Sequence, residues 1–313
     1  MAEKSLRKRF IEQRYLQFMA LCGVLWMLVF NYAPMYGILV GFKQNYRITM
    51  PLFSWDFLKS TWAAQFGFKH FIDFVKDEQF LNILYNTLGI SIFKLLIGFP
   101  LPIIFALLLN ELRSPRFKRV VQTISYLPHF LSWVVLGGIL TTWLSETGLI
   151  NQLLKLAGFS KQGITFLAEP NYFWPIVVIS DIWKELGWSA IIYLAAIVGV
   201  DPELYEAATV DGAGRIRQMF SITLPCIKGT ITILFILAVG GLLNSNFDQI
   251  LVLWNPLNAS RSSVIDIYVY HVAMRSMRYS YATAIGLFKS VVAFILLFIA
   301  NRVTNRLNEV SLF

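Results

Sequence analysis

Charge is scarce in this chain. Asp, Glu, Lys and Arg make up 14% of its 313 residues, against roughly 25% in an ordinary soluble domain. Cysteine is limited to Cys22 and Cys226. Neither has a second ligand at metal-type spacing, which argues against a disulfide framework or a Cys-built zinc site and leaves both as expected packing residues. The three histidines, His70, His129 and His271, fall in separate segments. With no His-Glu-x-x-His pair and no Gly-x-Ser-x-Gly elbow, metal-dependent or serine chemistry has little to stand on. A phosphate-cradling Gly-x-x-x-x-Gly-Lys-Ser/Thr loop is also missing. Its nearest approach, Gly158 to Gly163, is followed by Ile164, so the chain has no means of hydrolysing ATP alone.

What the chain has in abundance is apolar surface: 57% of residues are hydrophobic, more than a water-soluble core hides. Segments near Leu16 to Val40, Ile83 to Leu109, Val120 to Trp143, Phe173 to Val198, Thr230 to Leu253 and Ala282 to Val303 each offer roughly 20 or more mostly apolar residues, the length of one bilayer crossing. The expected fold is therefore an all-α membrane protein with six helices. The third is the least regular, since Pro128, His129 and Gly137-Gly138 interrupt it, although such breakers are tolerated where neighbours satisfy the backbone. The first run is too long for a signal-peptide h-region and has no small-residue cleavage site after it, so it is expected to remain as the first span.

Basic residues set the expected orientation. Lys4, Arg7, Lys8, Arg9 and Arg14, then Arg113, Arg116, Lys118 and Arg119, then Arg215, Arg217 and Lys228, and finally Arg302 and Arg306 crowd the short segments on one side. That side is cytoplasmic by the positive-inside rule, with both termini on it. The net charge of +9 is mostly this signal. Split among short loops, it does not make a nucleic-acid surface.

One cytoplasmic loop is unusually well specified. Asp201 is a good N-cap, Pro202 suits the first helical position and Glu203 complements the helix dipole. A short helix is expected from Pro202 to about Val210, with Gly212 turning the chain. A second is expected from Ala213 to Phe220, with Pro225 closing it. Small residues and one acid on such a knob suit docking into a groove on another protein; the plain alternative is an ordinary intracellular loop. Glu206-Ala207-Ala208, three residues, Gly212, nine residues, then Ile222-x-Leu224-Pro225 resembles the EAA motif of permease subunits of bacterial ABC importers, in which this loop is the coupling helix seated on the ATPase.

Ionisable groups inside apolar spans are costly and normally face a partner or a watery cavity. Asp181, Lys184, Glu185 and Trp188 recur at i, i+3, i+4 and i+7, on one helical face, with Lys184 roughly 18 Å from an outer boundary near Tyr172. Asn244, Asn246, Asp248 and Gln249 cluster after a Gly240-Gly241 break, and Lys94 and Lys289 add cations. Amides, carboxylates and an indole suit a sugar, its hydroxyls hydrogen-bonded and its ring face stacked. The alternative is structural: Asp181 or Glu185 paired with Lys184 or Lys94 to hold helices together, and Lys289 snorkelling outward.

Phe30 to Gly37, Gln122 to Phe130, Ile182 to Trp188 and Tyr279 to Ser290 extend the likeness along nearly the whole chain. They resemble the LplB-type branch of oligosaccharide permeases, related to the MalF subunit of maltose importers. The resemblance implies a six-helix type I ABC importer permease fold with an EAA loop in the bacterial cytoplasmic membrane. It implies residues 1–15 as a cytoplasmic segment, 16–40 as the first transmembrane helix, 41–80 as an extracytoplasmic loop and 81–313 as a five-helix core with the coupling loop at 201–225. Glu206, Ala207, Ala208, Asp211, Gly212, Leu224 and Pro225 would couple to the ATPase. The implied partners are a second homologous permease, a pair of cytoplasmic ATPases and an extracytoplasmic sugar-binding protein. ATP and Mg would sit on the ATPases, with no cofactor on this chain. Family members are associated with polysaccharide fragments, some acidic, such as alginate, and Lys94, Lys184 and Lys289 would suit a carboxylated sugar. The large extra domain of the maltose subunit and two of its eight spans have no counterpart here. The rival expectations are a secondary sugar/proton transporter using Asp181, Lys184 and Glu185 as a relay, which should show an internal repeat, and a non-transporting scaffold or receptor, which leaves the midplane charges unexplained.

Overall fold

The computed structural model describes residues 13–160 and 162–308. Lys4, Arg7, Lys8 and Arg9 of the orientation signal, and most of the expected 1–15 segment, lie outside them. Within the described residues the chain is helical, apart from one isolated antiparallel bridge between Lys43 and Trp62.

The helices are α1 (Arg14–Phe42), α2 (Trp55–Lys59), α3 (Lys69–Val75), α4 (Phe80–Asn110), α5 (Pro115–Phe130), α6 (Trp133–Trp143), α7 (Leu149–Leu156), α8 (Pro170–Val198), α9 (Pro202–Val210), α10 (Arg215–Cys226), α11 (Lys228–Gly240), α12 (Phe247–Leu253), α13 (Ala259–Ser262), α14 (Ile265–Met274) and α15 (Tyr279–Asn308). Three of them, α1, α4 and most of α15, are long and apolar enough to cross a membrane unbroken; the count reaches six when each of three bent pairs is taken as one span.

The bends have local causes. The expected third span is two helices, α5 and α6, meeting at 98°. Pro128 sits in a tight 3-10 turn, and Ser132 starts the next helix by accepting the Val135 N–H at 3.3 Å. The expected fifth span also divides: α11 ends at Gly240, and α12 starts only after Asn246, which adopts a left-handed φ of 59°. Three widened π turns interrupt the longer helices, at Leu28–Tyr32, Lys94–Gly98 and Met219–Thr223. Each is followed two residues later by a proline, Pro34, Pro100 or Pro225. A proline ring clashes with the carbonyl four residues back and offers no N–H; one extra residue in the preceding turn relieves both problems. The helix runs past its expected end at Phe220 and stops at Cys226, one residue after Pro225, where the chain bends by 62° into α11.

Two units are distinguished. The first comprises residues up to Lys76 together with His271–Leu287. Leu16, Phe18, Met19, Trp26 and Phe30 of α1 are exposed, and an apolar helix buried so little against its own chain belongs in lipid or against another subunit. After α1 the chain is pinned by Lys43, 2% exposed, whose ammonium donates to the Leu58 and Ser60 carbonyls at 2.9 and 2.8 Å and lies 4.2 Å from the Trp62 ring centre. Burial pushes its pKa below the usual lysine range.

The second unit, Asp77–Tyr270 with Phe288–Phe313, is centred on α8. One apolar core joins Ile103, Ala106 and Leu109 of α4 to Ala190, Tyr193 and Ile197 of α8 and to Ile227; another joins Ile90, Phe173, Val177, Ile250 and Ile267. At Gly187 the α5 backbone comes so close that a Cβ would lie 2.2 Å from the Ser125 carbonyl oxygen, a close approach only glycine permits. The expected packing cysteines, Cys22 and Cys226, are free and exposed on this chain.

Candidate functional site

The elbow begins where α8 ends. After Gly199 the chain turns by 70° into α9, started by the Asp201 carboxylate, which accepts the Glu203 N–H at 3.0 Å, with Pro202 in the first turn. At its other end Gly212 has a φ of +75°. The Ala213 N–H donates to the Ala208 carbonyl at 2.8 Å and the Gly212 N–H to that of Thr209 at 3.0 Å. Those two bonds around a left-handed glycine form a Schellman cap, which satisfies carbonyls the helix end would otherwise leave unpaired.

Polar contacts then fix α9 to α10. The Tyr205 and Thr223 hydroxyls are 2.9 Å apart, and the Gln218 amide donates to Thr209 Oγ1 at 3.0 Å and to the Ala213 carbonyl at 2.9 Å. Arg215 reaches Glu111, just past α4, at 3.8 Å. Glu206, Ala207, Asp211, Gly212 and Pro225 are exposed and Ala208 is half-buried. Leu224 packs against the α4–α8 core: it anchors the elbow. Sequence reasoning did not count Val210, 89% exposed, or Ile216, 72% exposed, among the site residues. Phe220, 61% exposed, adds a third bare apolar side chain to the same knob.

The membrane-level polar residues form two groups, both nucleated on α8. In the first, Lys94 on α4 bridges elements: its ammonium lies 3.0 Å from Asp181 Oδ1 and 2.8 Å from Gln249 Oε1. Asn246 donates to Asp181 at 3.1 Å, and the fully buried Gln249 donates to the Val177 carbonyl at 2.8 Å and Ser180 Oγ at 2.9 Å. In the second, Glu185 sits between Lys184, at 3.3 Å, and His129 Nδ1, at 2.7 Å. Lys184 also donates to the His129 carbonyl. The His129 imidazole stacks on the Trp188 indole with centroids 4.2 Å apart and planes 2° from parallel.

The face read from Asp181, Lys184, Glu185 and Trp188 is thus shared between two neighbours, α4 with α12 and the end of α5. Asn244, exposed, lines a cavity of about 240 Å³ beside Lys94. Asp248 is exposed on α12, and Lys289 pairs with Asp266 instead of joining either group. His129 was missed as a site residue. Its partner is 56 positions away, and the one local signal was its place beside the Pro128 break.

An all-helical chain with unbroken apolar spans, ion pairs inside them and a rigid, exposed elbow has the build of a membrane component of a transport assembly. Residues 98–309 match the family described as "Binding-protein-dependent transport system inner membrane component". The polygalacturonan/rhamnogalacturonan transport system permease protein YteP of Bacillus subtilis (strain 168) is 43% identical over 99% of this chain and 94% of that protein. Protein LplB of the same strain is 42% identical over 96% of this chain and 91% of that protein. A crystal structure of a bacterial alginate ABC transporter, in complex with an alginate pentasaccharide-bound periplasmic protein, contains a chain that superimposes with a TM-score of 0.87 at 38% identity, covering 99% of this chain and all of that one. The chain belongs to the family of binding-protein-dependent transport inner membrane components.

Proposed function

We propose that this chain is a permease subunit of an ATP-driven importer of oligosaccharides or polysaccharide fragments, acidic ones among them. It works beside a second, homologous permease, above a pair of cytoplasmic ATPases that hold ATP and Mg, and below an extracytoplasmic protein that delivers the saccharide. Both termini and the elbow face the cytoplasm. This chain contributes no catalytic group and holds no cofactor. The transport name of the 43% identical relative and the alginate system of the structural neighbour support the saccharide class.

The observation that carries the coupling role is the elbow: a capped helix set at 70° to α8, fixed to α10 and carrying bare apolar side chains. ATP closes the ATPase dimer and draws the grooves that hold the two permeases' elbows together. Because α9 is the direct continuation of α8, this movement tilts α8 and the helices packed on it, and the saccharide path opens outward; hydrolysis resets it inward. The groups around Asp181 and Glu185 line or brace that path.

The test is reconstitution. Affinity-purified from membranes, the chain should bring with it a second permease and a nucleotide-binding subunit, and vesicles holding the assembly should take up oligosaccharide only with ATP and the binding protein present. Uptake by the isolated chain under a proton gradient, with no nucleotide, would instead favour a relay through Asp181, Lys184 and Glu185.

A further inference from the structure

The first unit contains a polar cavity of about 390 Å³, and no elbow or midplane residue is among those that line it. Three stretches build it: the chain just after α1, helix α3, and the start of α15. Its lining holds three cations, Arg47, Lys69 and Arg278, and one carboxylate, Asp73. Among the described residues none of the three cations is in a salt bridge, whereas Lys94, Lys184 and Lys289 within the spans are all paired.

The frame around these cations is fixed. The Tyr46 N–H donates to the buried Ser280 hydroxyl at 2.9 Å, and the Tyr46 hydroxyl donates to the Met50 carbonyl at 2.9 Å. His70, 8% exposed, holds the Lys43 carbonyl through Nε2 at 3.0 Å. Tyr46 and Tyr279 meet edge to face at 6.4 Å, and the Arg278 guanidinium lies 4.2 Å from the Tyr281 ring centre. Met277, the residue before Arg278, is held at a φ of +53°. A non-glycine residue in the left-handed region is a strained conformation of the kind that surrounding structure maintains at binding sites.

We propose that this cavity is a subsite for one acidic sugar residue, a hexuronate unit, taken at the outer face of the permease. The inference rests on the orientation and saccharide class given under the proposed function. Unpaired cations supply charge-assisted hydrogen bonds to a carboxylate. Asp73 accepts from ring hydroxyls, and tyrosines offer both ring edges and hydroxyls. The volume lies in the range of small-ligand sites. A neutral sugar would leave the cations without a counter-charge, so the subsite favours acidic over neutral cargo.

The test titrates trigalacturonate, and its carboxyl-reduced counterpart, into the complete transporter held in nanodiscs without its binding protein. Wild type should bind trigalacturonate saturably, and Arg47→Gln/Lys69→Gln should bind it about tenfold more weakly; the reduced probe should bind neither. Equal affinity of wild type and variant, or equal binding of the reduced probe, overturns the proposal. ATPase stimulation by the sugar-free binding protein should be unchanged in the variant, and a fall there overturns it too, assigning the cations to carboxylates on the binding protein. Failure of the broader function shows elsewhere, as a wild-type assembly with no ATP-driven uptake of any saccharide.

Discussion

Replacing Gly212 by Ala isolates a single backbone torsion. Nothing lies within 4 Å of the position a Cβ would take there, so the substitution creates no clash with neighbouring residues. What remains is the φ of +75°, which costs an L-residue about 1–2 kcal/mol. If that cost falls on the elbow alone, the capped geometry becomes roughly 5–30-fold less populated relative to uncapped ones. Gly214, two residues on, is the internal control: it also has open space around it, but its φ is −68°, which any residue adopts. Gly212→Ala should therefore lower oligosaccharide uptake per ATP hydrolysed in reconstituted vesicles, while Gly214→Ala leaves it unchanged. Gly212→Pro, which also removes the N–H bonded to Thr209, should insert normally and uncouple turnover from transport. The reasoning is refuted if both alanine variants behave alike, or if the proline variant transports with wild-type stoichiometry.

Lys94→Met leaves the half-buried Asp181 without its cation and should destabilise the folded chain by about 1–3 kcal/mol, whereas Lys94→Met combined with Asp181→Leu should recover much of that loss; thermal unfolding in detergent compares the two. Gly187→Ala forces α8 from α5 at the Ser125 carbonyl and should cost about 1–3 kcal/mol, read as a fall in Tm, with Gly138→Ala, which meets nothing within 4 Å, as the silent comparison. Trp188→Ala removes the ring stacked on His129, worth about 0.5–1.5 kcal/mol beyond its area. It should weaken saccharide-dependent uptake while co-purification with the ATPases is retained; unchanged uptake kinetics would make the stack purely structural.

Legibility followed sequence distance. The cap at Asp201, the first-turn proline and the left-handed glycine are local signals, and the elbow could be read from them before any fold was known. Local signals misplaced an end where a turn changed type: the widened turn at Met219–Thr223 carries α10 beyond the expected Phe220 to Cys226, one residue past Pro225. The pairing of Lys94 with Asp181 was one of several ion pairs the composition allowed, because only packing decides which of two lysines reaches the acid. His129 had no periodic partner on its own helix. Its role depends on the 98° bend, which places the end of α5 against α8. The expected Trp188 platform did not anticipate that the His129 imidazole stacks on that indole. Lys289 looked available for a ligand until Asp266, 23 positions earlier, was found beside it.

The widened turn in α10 has a mechanical consequence. It stores one surplus residue in the rod that joins the elbow to α11. Tightening it to ordinary α geometry would rotate one end of the rod about 100° against the other and shift it about 1.5 Å along the axis. Because that tightening would also drive the Pro225 ring back against the carbonyl four residues behind it, the widened turn holds the rod at one twist, and a pull on the elbow reaches α11 without being absorbed on the way.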